Sequence, residues 1–282
     1  MSALDPAAIA HWQTWVGREE QRRETIDVEV MRRYASAVGE DLDVERRLPA
    51  LVHWAYFLPV VASDGLGPDG HPKRGGFLPP VTLPRRMFAA STMEFGAPLQ
   101  LGVLATMTST VADVRHRSGR SGDLILVDVD RVIEQRGTVC VRERQSVVYR
   151  DAGEPTAAVA ELPASPGADD VLWQPGPVEL FRFSAATYNS HRIHYDRPYT
   201  TTEEGYPDLV VHGPYTAAKL YALARDRTAA LPTRFAFRGL APLFVSQPVR
   251  LTAGDVPGEY KAIRCDHTVA MAATVETPSA GA

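Results

Sequence analysis

One order of elements occurs twice along this chain, and it constrains the fold more than any other feature of the sequence. In the first occurrence, a helical pattern with Met31, Tyr34 and Val38 on one face precedes the apolar run 48–62 and several strand-like segments. In the second, residues 181–189 precede an apolar helical pattern from Pro214 to about Ala230, and strand-like sequence follows. A repeated order of elements indicates an internal duplication.

The strand-like segments 103–114, 123–134 and 138–150 are rich in Val, Ile, Leu and Thr, and the residues between them are typical of hairpin turns. These patterns predict, in each half, an apolar helix wrapped by an antiparallel sheet, which is an α+β fold. Gly and Pro crowd the segment 63–84, which predicts a long surface loop. Pro, Ala and acidic residues predict a linker at 152–171, between domains 1–151 and 172–282.

Composition excludes several classes of protein. The 282 residues include 30 Lys and Arg against 34 Asp and Glu, so the formal charge is -4 and a nucleic-acid partner is not expected. Cys140 and Cys265 lie far apart and form no metal-binding or disulfide pattern. The apolar run 48–62 is too short for a membrane span, and the first thirty residues show no secretory signal. We therefore expect a cytoplasmic protein with no membrane partner.

The predicted helix that follows Gly213 begins in a way that suits an anion. Pro214 is favoured at the first position of a helix, because its missing N–H would have no partner there. Such a start offers free backbone N–H groups and the positive end of the helix dipole. It can stabilise an oxygen that becomes negative during a reaction, or it can simply begin a buried helix.

The densest polar cluster of the chain is the segment 187–198, which contains Asn189, His191, Arg192, His194 and Asp196. Polar residues concentrated in one loop often serve a function. The two histidines and the aspartate have the ligand types of a metal site, but their spacing is weak evidence for one. A solvated loop that caps a helix is the plain alternative.

The run Asn-Ser-His-Arg-Ile-His-Tyr-Asp at 189–196, followed by Val-His-Gly at 211–213, resembles the hydratase-2 signature of MaoC-like (R)-specific enoyl-CoA hydratases and dehydratases. The variant form is similar to the double hot-dog branch, which includes mesaconyl-CoA and itaconyl-CoA hydratases and mitochondrial 3-hydroxyacyl-thioester dehydratase. The segment from Ser121 through Arg150 is similar to the end of the first unit of that branch. The resemblance implies a double hot-dog, with two antiparallel sheets that each wrap a central helix.

The resemblance also implies roles for individual residues. His194 is the expected acid–base group, because imidazole titrates near neutral pH, and the Gly213 N–H is the expected oxyanion donor. No metal and no redox cofactor are implied, and CoA enters as part of the substrate. The residues expected to bind the substrate are His191, Arg192, Tyr195, Asp196, His212 and Arg238.

One position departs from the family, whose catalytic aspartate corresponds here to Asn189. An amide cannot take a proton from water. We therefore expect His194 to carry out both proton transfers, with Asn189 orienting the water or the imidazole ring. Two alternatives remain open: Asp196 supplies the missing carboxylate, or this half binds the substrate but reacts poorly. Arg192 is equally suited to pair with a substrate carboxylate or with Asp196.

The sequence therefore predicts reversible hydration and dehydration of a short, branched or dicarboxylic enoyl-CoA. The first half has no histidine cluster, and Trp54 stands where the second half has Gly213, so we expect one active site per chain. The first half is then non-catalytic and helps to form the acyl-CoA groove. A hot-dog thioesterase and a non-catalytic acyl-CoA-binding protein are the alternatives. A homodimer is expected if the edge strands need covering.

Overall fold

The computed structural model describes residues 4–119, 122–163, 166–228 and 230–278. The helices in these residues are α1 (Pro6–Gln13), α2 (Val28–Val38), α3 (Pro177–Ala186), α4 (Arg197–Thr202) and α5 (Gly213–Arg227). The strands are β1 (Glu19–Thr25), β2 (Arg85–Phe95), β3 (Leu104–Gly119), β4 (Gly122–Gln135), β5 (Thr138–Arg150), β6 (Val171–Trp173), β7 (Arg234–Gly239), β8 (Val249–Ala253), β9 (Glu259–Ile263) and β10 (Val269–Glu276).

The strands form one ten-stranded antiparallel sheet in the order β1-β3-β4-β5-β2-β7-β10-β9-β8-β6. From the centre of the sheet outward, the strands of the second half follow the same order as those of the first half, as expected for a duplicated unit. The two halves meet where β2 pairs with β7, from Ala90 opposite Arg238 to Glu94 opposite Arg234. The α+β prediction is confirmed. The predicted central strands appear as β3, β4 and β5, and the tip of the first hairpin at 120–121 lies outside the described residues.

Helix α5 is the central helix of the second half. Its predicted apolar face, with Ala217, Leu220, Tyr221 and Ala224, is buried, and the helix ends three residues earlier than expected. It packs against strands of both halves, since it contacts β2 as well as β7 to β10. Its C-terminal half is also tied to the first half of the chain, because Arg225 makes a 2.8 Å ion pair with Glu40. One hydrophobic core therefore spans both halves.

The prediction of a helix in the apolar run 48–62 is wrong, because these residues form a single 3-10 turn, Val52–Ala55. Leu51 and Phe57 have positive φ angles of 53° and 57°, a conformation that a right-handed helix cannot contain. Pro59 also disfavours helical geometry in the residue before it. The prediction of two central helices therefore fails in the first half, where the sheet packs on this compact turn.

Side chains fill the place in the first half that corresponds to the start of α5. Trp54 donates its indole N–H to Glu143 at 3.1 Å, and Ser91 donates to the same carboxylate at 2.8 Å. Burial raises the pKa of Glu143, but His53 and the nearby Arg131 outweigh it and lower the pKa to about 2. This ionised, buried network surrounds Trp54, and the expectation of a single site stays a prediction.

The segments outside the sheet differ in what they do. The residues between β5 and β6 are irregular where they are described, in agreement with the linker, and the domain boundaries at 151 and 172 stay predictions. The segment 63–84 is largely irregular, but its residues 66–72 fold back on themselves through a bridge between Leu66 and Pro72. This 66–72 loop is not a free surface loop, because it packs against the second half. No helix of the described residues is long and apolar enough to cross a membrane.

Candidate active site

The histidine-containing segment is held by a tight turn at the end of α3. Tyr188 has a φ angle of 48°, and the Asn189 backbone N–H donates to Ser184 O at 2.8 Å. The Asn189 side-chain Oδ1 then accepts the His191 N–H at 3.0 Å. Asn189 therefore builds the turn that carries His191 and the following 3-10 turn, Arg192–His194, and its oxygen is engaged within the chain.

His194 is buried, with 7% of its surface exposed. Its Nδ1 lies 2.7 Å from Val210 O, and a carbonyl can only accept, so Nδ1 carries the proton and Nε2 has a free lone pair. Burial lowers the pKa of His194 to about 4, although the bond to Val210 opposes the shift. At neutral pH the ring is therefore an uncharged base with a fixed tautomer.

His212 supports the His194 ring from one side. The two rings are stacked with centroids 3.6 Å apart and an interplanar angle of 21°. His212 is fully buried, its Nε2 bonds to Ser184 Oγ at 2.8 Å, and burial lowers its pKa well below the usual value. The His212 ring has no exposed surface and serves as a platform for His194, and its role in substrate binding stays a prediction.

The start of α5 lies next to this pair of rings, because His212 immediately precedes Gly213. Within the described residues, the Gly213 backbone N–H has no protein acceptor, and Pro214 removes the competing donor. A Cβ at Gly213 would make ordinary van der Waals contact with Phe88 O of β2, at 3.7 Å. A free N–H at the positive end of a buried helix is suited to an oxyanion.

The structure brings a third element to the site that the sequence did not indicate. The 66–72 loop of the first half places His71 against His191, with ring centroids 4.1 Å apart, and His191 meets His194 edge-on at 5.5 Å. Burial and the neighbouring rings lower the pKa of His191. We call His71, His191, His194 and His212 the imidazole cluster. The only local signal for His71 is Asp69 two residues earlier, in a segment interpreted as a surface loop.

The remaining predicted residues lie around the cluster. Arg192 makes bonds of 2.9 Å and 2.7 Å to Asp196 and lies over the Tyr199 ring, so the ion-pair alternative is the one observed. Asp196 also caps α4 by accepting the Tyr199 N–H at 3.1 Å, and the alternative in which it supports His194 stays a prediction. Exposed Tyr195 donates to Ser190 O at 3.1 Å. Arg238 is exposed on β7, and its role with CoA stays a prediction.

The metal grouping considered from the sequence is not formed, because Asp196 faces Arg192. Instead, ligand atoms of Asp69, His71 and His191 lie within 4.8 Å of one another. Their donor types suit a divalent ion. However, Asp69 Oδ2 and His71 Nδ1 are bonded to each other at 3.1 Å, so an ion that used these two atoms would have to break that bond. The expectation of a reaction without metal or redox cofactor stays a prediction.

Comparison with known proteins identifies the family of this chain. The family model of hydroxyacyl-thioester dehydratase type 2 matches residues 51–245. The chain belongs to this family. It is also 42% identical over 279 residues to mesaconyl-C(4)-CoA hydratase of Chloroflexus aurantiacus, covering 95% of this chain and 98% of the relative. The sequence-based recognition is confirmed, and this member of the family is a hydro-lyase that acts on acyl thioesters.

Solved structures confirm the fold. A MaoC-like dehydratase from Phytophthora capsici aligns with a TM-score of 0.65 at 16% identity, covering 97% of this chain and 99% of its own. A conserved protein of Mycobacterium tuberculosis described as a double hotdog aligns with a TM-score of 0.53 at 14% identity, covering 92% and 95%. At such low identity these structures establish the fold alone, and it is the double hot-dog predicted from the sequence.

Proposed function

We propose that this dehydratase-family protein reversibly hydrates a branched, dicarboxylic enoyl-CoA of the mesaconyl type, with His194 as its acid–base group. The relative at 42% identity is named as a mesaconyl-C(4)-CoA hydratase, which supports the choice of acyl group. The observation that carries the chemical assignment is the state of His194: a buried, uncharged ring whose Nδ1–H is held by Val210 O.

The reaction needs one proton to move from water to carbon. Nε2 of His194 accepts a proton from water as the oxygen bonds to the β-carbon, and the electron pair of the double bond moves toward the thioester carbonyl. The enolate oxygen that forms accepts a hydrogen bond from the Gly213 N–H, a contribution of about 3 kcal/mol for one such donor. The imidazolium then returns the proton to the α-carbon, and dehydration follows the same steps in reverse.

The test is a panel of CoA thioesters offered to the purified protein. Mesaconyl-C4-CoA, itaconyl-CoA and crotonyl-CoA are incubated separately, and products are identified by mass while free thiol is measured. We expect hydrated thioester from mesaconyl-C4-CoA at the highest kcat/KM and no release of CoA. Release of free CoA would identify a thioesterase, and binding without turnover would identify an acyl-CoA-binding protein.

His194→Ala tests the assignment of the acid–base group. We expect a loss of about 10²–10⁴-fold in kcat, because a positioned acid–base group contributes this much. His11→Ala is the matched control, since His11 is an exposed histidine on α1, and it should retain wild-type rates. A His194→Ala protein that folds and turns over at the wild-type rate would remove His194 from the mechanism.

A further inference from the structure

The site lacks the carboxylate that the family signature places before the histidine, and two residues near it cannot replace that group. Asn189 uses its side-chain oxygen to accept the His191 N–H. Asp196 is bonded to Arg192 through the guanidinium and to Tyr199 through the backbone. Water bound for attack on a double bond therefore needs a second hydrogen-bond acceptor from elsewhere in the chain.

The 66–72 loop is docked firmly onto the histidine segment. Arg192 N donates to Asp69 O at 2.9 Å, and Ser190 Oγ donates to Gly70 O at 2.5 Å. Gly70 has a φ of +87°, and a Cβ at this position would overlap the Ser190 carbonyl oxygen, so the two backbones meet where only glycine fits. The first half thus contributes an ordered element to the site of the second half.

The loop holds His71 in one tautomer. Asp69 accepts the His71 backbone N–H at 3.0 Å through one oxygen and bonds the ring Nδ1 at 3.1 Å through the other. These bonds hold the pKa of Asp69 below its usual range, although burial opposes this. An ionised carboxylate only accepts, so Nδ1 of His71 carries the proton and Nε2 has a free lone pair. His194 is in the same state, with Val210 O in place of the carboxylate.

We propose that His71, positioned by Asp69, is a catalytic residue that holds the attacking water together with His194. The His191 ring contacts both imidazoles: its centroid lies 4.1 Å from that of His71, at an interplanar angle of 42°, and 5.5 Å from that of His194, edge-on. Water has two hydrogens, and each ring offers one Nε2 lone pair, so a shared water would present its oxygen to the β-carbon. His71 takes no proton in this scheme: it fixes the water, and His194 carries out the transfer described above.

This inference rests on the proposed hydratase function, and it is tested with His71→Ala and Asp69→Asn on mesaconyl-C4-CoA. We expect His71→Ala to lower kcat by about 10–10³-fold with little change in KM, because water rather than acyl-CoA loses its contact. Added imidazole should restore part of the rate, which a purely structural role would not allow. Asp69→Asn should lower kcat as well, since the amide N–H can donate to Nδ1 and shift the ring proton to Nε2.

His116→Ala is the matched control, because His116 also pairs with an aspartate, Asp123 at 2.8 Å, but lies in the β3–β4 hairpin. It should retain wild-type rates. A folded His71→Ala protein whose kcat equals that of this control would overturn the proposal. The proposed function would still stand in that case, because the wild type would still hydrate mesaconyl-C4-CoA. If His71→Ala does not fold, an unchanged kcat in Asp69→Asn overturns it in the same way. Loss of wild-type activity on chelation, with recovery on adding zinc, would also overturn it.

Discussion

Protonation of His194 makes the stability of this protein depend on pH in a way that a single substitution isolates. The pKa of its ring is about 4 in the folded chain and near 6.5 in an unfolded chain. Because the folded value is lowered, the contribution of the neutral ring is complete above about pH 6.5 and is lost as the pH falls toward 4. When the pH falls from 7 to 5, the titration of His194 alone should lower the free energy of unfolding by about 2 kcal/mol.

The assay is urea unfolding of the wild type and of His194→Gln at pH 7 and pH 5. Glutamine does not titrate, and its amide can still donate to Val210 O. The wild type should therefore lose about 2 kcal/mol more than the variant between the two pH values. Tyr195→Phe changes the adjacent, exposed side chain and should lose as much as the wild type. Equal losses in wild type and His194→Gln would refute the reasoning that burial keeps this ring neutral.

Three further outcomes follow from the packing. Gly70→Ala should displace the 66–72 loop and lower kcat in steady-state kinetics on mesaconyl-C4-CoA. Gly76→Ala is the control: its Cβ would meet nothing within 4 Å, so kcat should not change. Glu143→Ala should lower the free energy of unfolding by about 3–5 kcal/mol, because it removes the buried carboxylate to which Trp54 and Ser91 donate. Urea unfolding measures this loss. Asp27→Ala should cost about 1 kcal/mol by the same assay, since it removes the N-cap of α2, where Asp27 accepts from Glu29 N and Val30 N.

Much of the fold was accessible from local patterns. The alternation and β-branched composition of 103–150 predicted three long strands, and all three are present. The left-handed Gly39, with φ of 71°, ends α2, as glycine commonly does at the C-terminus of a helix. Periodicity failed at 48–62, because an apolar run of this length is compatible with a helix or with a buried turn. The positive φ angles of Leu51 and Phe57 are incompatible with a helix, and the hydrogen bond of Trp54 to Glu143 holds the turn in place.

The site divides in the same way. The resemblance to the family motif predicted roles for His194 and Gly213, which lie within a few dozen residues of each other in the chain. His71 was missed because its neighbours in space are 120 residues away in the chain, joined through contacts such as Ser190 to Gly70. The ion pair of Arg192 with Asp196 was one of two readings that spacing allowed, and only the orientation of the side chains selected it.

The sequence by itself determined the duplicated α+β order, the family motif and the residue types available for acid–base work, since these depend on short-range patterns and on side-chain chemistry. The tertiary structure alone decided which imidazoles meet, which nitrogen of His194 carries the proton and how far burial lowers its pKa. The position of the proton depends on the hydrogen bond between His194 and Val210, and the lowered pKa depends on burial, so both arise only when the chain folds. The contact between His71 and His191 needs the 66–72 loop to dock on Ser190.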